Sequence, residues 1–357
     1  MGNKIDNDIK ENNGVSINEN NGKVNVSVGL SYSETRLLCK DLIKNELQLY
    51  RAEAAEEAEK REKAFTFKML SIMEKEYKNP KLVHESFSQP SMQIDFIEAE
   101  KAYIKYGKED LLNILTNILS ERIKEKEYSL LQVTLSESIK VCPLLMQKHL
   151  STLALRFLLV HTKRLKVFNF NQFKNYITQN ILPIFESGVS KSDADYQHLN
   201  FTRCATTSAF SSDLIDNFIR IYKGIFSKGI SVSGTESEIL QELVKKYPKL
   251  FIPCINDVTK LQVNSLTDEV LEQQFIELNV DTEDRKIVKR IYDNEIMNKE
   301  EVTDFLNKNI PGWESFHKYW NENGISRLNL TSVGIILGAF YASQITGEKF
   351  NLSIWIS

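Results

Sequence analysis

Residues 15–28, VSINENNGKVNVSV, and residues 33–77, SETRLLCKDLIKNELQLYRAEAAEEAEKREKAFTFKMLSIMEKEY, decide the fold of this chain. In the first stretch apolar residues alternate with polar ones, at Val15, Ile17, Val24, Val26 and Val28. Alternation with a period of two is typical of a half-buried β-strand. Asn21-Gly22 separates the two runs and tolerates the positive φ angles of a tight turn. The sequence therefore predicts a short N-terminal β-hairpin; the alternative is an Asn-rich N-terminus that does not fold.

The second stretch predicts one long, exposed helix. It begins near Ser33, whose hydroxyl can cap a free backbone N–H, and Asn79-Pro80 ends it after about Tyr77. At ~1.5 Å per residue this helix is about 65 Å long. Apolar or small residues stay in phase with a 3.6-residue turn at Ile43, Leu47, Tyr50, Ala54, Ala58, Phe65, Met69 and Ile72. The alternative is a broken helix that folds back on its own domain.

Charge pairs support the middle of this helix. Glutamates precede lysine or arginine by four residues at Glu56–Lys60, Glu57–Arg61 and Glu59–Lys63. Each pair adds only ~0.2–0.5 kcal/mol, but together they let a solvated helix persist. Neither the helix nor a lone two-stranded hairpin can bury its apolar residues by itself. We therefore expect a homo-oligomer, with an interface formed by Val24, Val26, Val28, Ile43, Leu47, Tyr50, Ala54 and Ala58.

Composition excludes several classes of protein. The chain has 357 residues, of which 42% are hydrophobic and 26% charged, as in ordinary globular proteins. Its formal net charge of −3 gives no general attraction to nucleic acid or to anionic membranes. The four cysteines are scattered and form no CxxC pair, which argues against a zinc site or a disulfide framework. Reduced thiols are expected, as in a cytoplasm.

Neither a signal peptide nor a membrane span is predicted. The first 14 residues have no apolar core. The two most apolar stretches, Leu150–Val160 and Val333–Ala342, are too short to cross ~30 Å of hydrocarbon. We read both as core helices and expect a cytoplasmic protein.

The remaining pattern predicts a mostly α-helical protein whose C-terminal end contains some β-structure. Alternation over Gly324–Leu330 and Leu352–Ile356 predicts two strands that pair around a helix capped by Thr331 and ended by Gly347. Lys260–Asn264 can join this small sheet. A polar stretch at residues 187–195 suggests a domain boundary. We expect four segments: 1–30 (tail and hairpin), 31–78 (long helix), 79–190 (helical domain) and 191–357 (second helical domain).

No catalytic, cofactor-binding or metal-binding residue is predicted. The five histidines lack HxH or HExxH spacing, and the sequence contains no GxSxG elbow and no phosphate-binding glycine loop. One basic stretch, Lys163, Arg164 and Lys166, precedes three phenylalanines and could bind a nucleic-acid backbone and its bases. The same charges would also stabilise a helix C-terminus. An enzyme with no recognisable motif is a further alternative.

Two resemblances bear on function. Leu330-Thr331-x-x-Gly334 resembles the strand-to-helix step after the wing of many winged-helix domains. A larger set of motifs looks like a poorly characterised family of bacterial helical proteins, similar in layout to abortive-infection proteins of the Abi-alpha kind. These motifs are Gly29-Leu-Ser-Tyr-Ser-Glu34, Tyr106-x3-Asp110-Leu-Leu, Ile118-Leu-Ser-Glu-Arg122 and Leu330-Thr-Ser-Val-Gly334…Thr346-Gly347…Leu352-Ser-Ile-Trp-Ile356.

This resemblance implies a bacterial cytoplasmic protein of antiviral defence and carries no active-site residues. Together with the predicted interface, it favours a non-enzymatic oligomerising or partner-binding protein. The alternative is a nucleic-acid-binding protein with a winged-helix-like element.

Overall fold

The computed structural model of this chain describes residues 15–20, 23–28, 32–77, 80–125, 128–231 and 237–357. The chain divides into two compact units, Met1–Thr66 and Phe67–Ser357. Among the described residues the protein is mostly helical, with a few short antiparallel strand pairs. This confirms the predicted fold class.

The N-terminal unit contains the predicted hairpin. Strands β1 (Val15–Asn20) and β2 (Lys23–Val28) pair antiparallel, with Val15 opposite Val28 and Ile17 opposite Val26. This register places apolar positions of one strand opposite apolar positions of the other. The predicted Asn21-Gly22 turn and the polar tail lie outside the described residues.

Helix α1 (Tyr32–Glu76) is continuous over 45 residues, as its unbroken 3.6-residue phase predicts. The three predicted pairs form, with Nζ–Oε1 distances of 2.8 Å for Lys60–Glu56 and 2.5 Å for Lys63–Glu59, and an Nε–Oε1 distance of 2.9 Å for Arg61–Glu57. The predicted cap at Ser33 is wrong, because the helix already begins at Tyr32. Residues 67–76 of α1 belong to the second unit.

The second unit contains fifteen more helices among the residues that the structure describes. Their bounds are α2 Pro80–Phe87, α3 Pro90–Tyr106, α4 Glu109–Lys124, α5 Leu130–Val141, α6 Gln147–Arg156, α7 Phe170–Tyr176, α8 Leu182–Glu186, α9 Asp193–Phe201, α10 Leu214–Tyr222, α11 Ser237–Lys246, α12 Asp268–Glu277, α13 Thr282–Glu295, α14 Lys299–Asn309, α15 Trp313–Glu322 and α16 Ser332–Thr346. Two antiparallel strand pairs accompany them: β3 (Ala205–Thr207) with β6 (Leu328–Leu330), and β4 (Phe251–Pro253) with β5 (Leu261–Val263).

Helix α16 is the central helix of this unit and packs against α4, α5 and α6. Glycine allows the close approach to α6, since a Cβ on Gly338 would lie only 2.8 Å from the carbonyl oxygen of Leu153. The helix begins and ends as predicted: the Thr331 hydroxyl accepts a hydrogen bond from the Gly334 N–H at 3.2 Å, and Gly347 is left-handed with φ of 72°. Because α16 and α4–α6 lie on opposite sides of residues 190–191, the predicted boundary there does not separate compact units.

The predicted C-terminal sheet is only partly present. Strand β6 pairs with β3, far upstream in the sequence, and residues 324–327 form a 3₁₀ turn. The predicted last strand is wrong, because Leu352–Ile354 forms a 3₁₀ turn. Asn351 Oδ1 accepts hydrogen bonds from the Ser353 N–H and hydroxyl, at 3.2 and 2.7 Å, and such local bonds compete with an extended backbone. Strand β5 lies within the predicted Lys260–Asn264 segment but pairs with β4.

Candidate functional site

The predicted interface residues lie on two elements of the N-terminal unit. Val24, Val26 and Val28 are in β2, and the other five residues share α1. The side chains of the three valines and of Ile43, Leu47 and Tyr50 lie outside the description. Ala54 is exposed and Ala58 is half-buried.

The middle of α1 is exposed to solvent on all sides. All seven side chains over residues 51–57 are exposed, which amounts to about two helical turns. The charged pairs that follow are exposed as well, apart from the half-buried Arg61. A helix with this surface gains little from packing in its own chain, because most helical stability in proteins comes from burying an apolar face.

The predicted basic residues lie in the loop between α6 and α7, and the structure does not combine them into one free basic patch. Arg164 forms an ion pair with Glu348, and its guanidinium lies 5.4 Å from the centre of the Tyr176 ring. The hydrogen bond with Glu348 raises the pKa of Arg164. Lys163 lines a shallow cavity together with Arg220 and the acidic Glu269. Lys166 is exposed and separate from that cavity.

A cleft of about 390 Å³ in the second unit brings together polar groups from distant parts of the sequence. The last turns of α1, the middle of α4, and α16 with the residues after it form its walls. We call it the amide cleft and define it by the residues Lys68, Asn113, Asn117, Phe340, Gln344 and Phe350. Its volume lies within the range of about 300–1,000 Å³ that is typical of ligand pockets.

The carboxylates of the amide cleft are all held in ion pairs. Glu76 accepts hydrogen bonds from Ser120 Oγ at 2.9 Å and from Lys349 Nζ at 2.6 Å. Burial alone would raise the pKa of Glu76, but these bonds outweigh burial and hold the pKa below its ordinary value. Lys124 pairs with Glu121 at 2.6 Å, and Glu348 is the partner of Arg164.

Other polar groups of the amide cleft have no partner within the described part of the chain. The side-chain amides of Asn113 and Asn117 make no hydrogen bond there, and Lys68 forms no ion pair. Gln344 Nε2 donates to Asp110 Oδ1 at 2.6 Å, which leaves the buried Gln344 Oε1 without a donor. Unpartnered polar atoms are rare in protein interiors, and each is a reason to look for a ligand or water.

A buried carboxyl lies elsewhere in this unit, at the end of α13. Glu295 is 5% exposed, and its Oε2 accepts a hydrogen bond from Ser227 Oγ at 3.0 Å. Its Oε1 has no partner. Burial raises the pKa of Glu295 to about 8, so this group is mostly protonated at neutral pH.

The buried His149 has a structural role. The Met146 N–H donates to His149 Nδ1 at 3.2 Å, so the proton of the neutral ring is on Nε2, which faces Asp195 Oδ1 at 3.4 Å. Burial lowers the pKa of His149. Asp195 also caps the start of α9, together with Ser192, and pairs with Lys148 at 2.6 Å. These bonds join α6 to α9.

No group of three or more histidine, cysteine or acidic residues among the described residues could hold a metal ion. Within the same residues, no helix has both the length and the apolar character needed to cross a membrane.

A protein-family model described as ":-like" matches residues 29–356. The chain belongs to this family. The match takes in the whole of α1 and leaves out β1 and β2. The comparisons with curated proteins and with solved structures gave no match.

The family match includes α1, so the helix is part of what the family model describes. The match says nothing about the chemistry of the amide cleft. Sequence reasoning missed that cleft, since Lys68, Asn113 and Gln344 come together only through tertiary packing. One local signal was present: Asn113 and Asn117 are four residues apart and therefore share one face of a helix. Polar amides on a helix that is otherwise rich in buried leucine and isoleucine could have marked the site.

Proposed function

We propose that this protein is a non-enzymatic, self-assembling protein in which α1 pairs with α1 of a second copy. The observation that carries this proposal is the run of seven exposed side chains in the middle of a continuous 45-residue helix. The family match, which includes all of α1, supports a shared role for the helix.

The composition of α1 supports pairing with another helix of the same kind. Ala54 and Ala58 are one turn apart, and their small side chains let a second helix backbone approach closely. Glutamates and basic residues lie on both sides of this pair and form ion pairs within one helix, and in an assembly they could exchange partners with the second helix. The assembly proposed here needs no partner other than the chain itself.

A charge placed on this stripe is expected to break the assembly. The double variant Ala54→Arg/Ala58→Arg should run at half or less of the wild-type mass in light scattering, because two arginines on each helix would face each other. Ala52→Arg is the matched control, since Ala52 is exposed and lies about 160° around the helix from Ala54. A double variant that keeps the wild-type mass would contradict the proposal.

Truncation tests the same assignment without adding charge. Removing residues 1–66 deletes β1, β2 and the part of α1 that carries Ala54 and Ala58, and it leaves the unit Phe67–Ser357 complete. We expect fewer chains per particle than in the wild type, and unfolding at the wild-type temperature. An equal number of chains per particle for the full and truncated proteins would place the interface elsewhere.

We further propose antiviral defence in a bacterial cytoplasm as the setting of this assembly. The support is the resemblance of the motifs at both ends of the chain to abortive-infection proteins of the Abi-alpha kind. Bacteria that express the wild-type chain should give fewer phage plaques than bacteria that express Ala54→Arg/Ala58→Arg. If bacteria with and without the wild-type chain gave equal plaque counts across a panel of phages, a role in defence would be rejected. The proposal of self-assembly would not be affected.

A further inference from the structure

We infer that the amide cleft is a binding site for a purine mononucleotide, and that adenosine monophosphate fits it best. This inference is independent of self-assembly, because every residue that defines the cleft belongs to the unit Phe67–Ser357.

The amides of the cleft suit an adenine base. Asn113 and Asn117 stand one turn apart on α4, so their side chains are about 5–6 Å apart at Cβ, and both are free to bond. Each of these two amides offers a donor beside an acceptor, and this is the pattern that asparagine uses to bind adenine at N6 and N7.

Aromatic side chains give the cleft a place for a flat ring. Phe340 and Phe350 both line it and are only half-buried. Phe350 is held in place by an edge-to-face contact with Phe157, at 5.0 Å between ring centres. Stacking on such a ring contributes a binding free energy that depends little on which base is stacked. The amides therefore supply the selectivity for adenine.

One cation of the cleft is available to a phosphate group. The three carboxylates that line the cleft, Glu76, Glu121 and Glu348, are held in ion pairs by Lys349, which also lines it, and by Lys124 and Arg164, which do not. Among the described residues, Lys68 is the lining lysine that has no ion pair. A single ammonium complements a monophosphate, whereas a triphosphate would bring several negative charges beside these carboxylates.

The test is calorimetric titration of the full-length protein with adenosine monophosphate, guanosine monophosphate, adenosine and ribose 5-phosphate. We expect saturable binding of adenosine monophosphate, and affinities about tenfold or more weaker for the other three. Lys68→Met should lower the affinity for adenosine monophosphate about tenfold and leave the affinity for adenosine unchanged. Asn117→Ala should lower both affinities.

Lys75→Met is the control, since Lys75 is exposed on the same helix and outside the cleft. Thermal unfolding of each variant without ligand confirms that the fold is intact. No saturation by adenosine monophosphate below about 1 mM would overturn the inference. Equal binding of ribose 5-phosphate, or full binding by a folded Asn117→Ala, would overturn base recognition and with it the site as assigned.

Discussion

Deleting residues 352–357 is expected to lower the free energy of unfolding of the second unit by about 5 kcal/mol. Leu352 and Ile356 are buried, and burial of each such side chain contributes roughly 1.5–3 kcal/mol. Trp355 Nε1 also donates to the His161 carbonyl at 2.9 Å, and its ring lies edge-on to Phe157 at 5.0 Å. A loss of this size approaches the whole stability of many domains, about 5–15 kcal/mol. Urea unfolding of the truncated chain measures it.

If the truncated chain does not fold, point variants can still test whether the C-terminal residues stabilise the second unit. Trp355→Ala should lower the urea midpoint by an amount equivalent to about 2–3 kcal/mol, because it removes both the ring contact and the hydrogen bond. Ile354→Ala is the matched control, since Ile354 is 68% exposed and should change stability by no more than ~0.5 kcal/mol. Equal midpoints for these two variants would show that the ring contact and hydrogen bond of Trp355 contribute nothing.

Glu295→Gln is expected to stabilise the protein at alkaline pH. The pKa of Glu295 is raised to about 8 in the folded state, against 4.5 ordinarily. The unfolded chain therefore loses this proton first, and stability falls as the pH rises from about 4.5 to about 8. At ~1.36 kcal/mol per pKa unit, the whole fall amounts to about 5 kcal/mol. Glutamine cannot ionise, so the variant should avoid this loss.

The measurement is chemical unfolding of both proteins at about pH 5 and about pH 8.5. The wild type and Glu295→Gln should be similar at the lower pH and differ by about 3–4 kcal/mol at the higher. Glu322→Gln is the control, since Glu322 is also the last residue of its helix, α15, but is exposed. If the two variants respond to pH alike, Glu295 is ionised in the folded protein and its burial is tolerated.

The sequence was sufficient wherever local chemistry sets the structure. The alternating valines gave the strands of the hairpin, and the unbroken apolar phase gave one long helix instead of two. Thr331 and Gly347 gave both ends of α16. In each case the deciding residues are neighbours along the chain, within one turn or one strand.

The sequence was insufficient where distant residues compete with a local pattern. Leu352–Ile356 alternates like a strand, but Asn351 bonds to Ser353, and burial of Trp355 against Phe157 favours a compact turn. The amide cleft could not be found for a related reason. Lys68 and Gln344 lie 276 residues apart in sequence and meet only after α1 and α16 pack on α4.

The contact between α16 and α6 has a consequence for synthesis. Ser151 of α6 lies 3.5 Å from the hydroxyl of Tyr341, 190 residues later in the chain. At ~5–20 residues per second, a ribosome needs about 10–40 s to make that intervening stretch. During this interval α1 has already emerged from the ribosome, while the second unit still lacks α16, its central helix. If α1 pairs between copies as proposed, nascent chains on one polysome would meet through α1 before any of them has finished folding, and copies made from one message would assemble together.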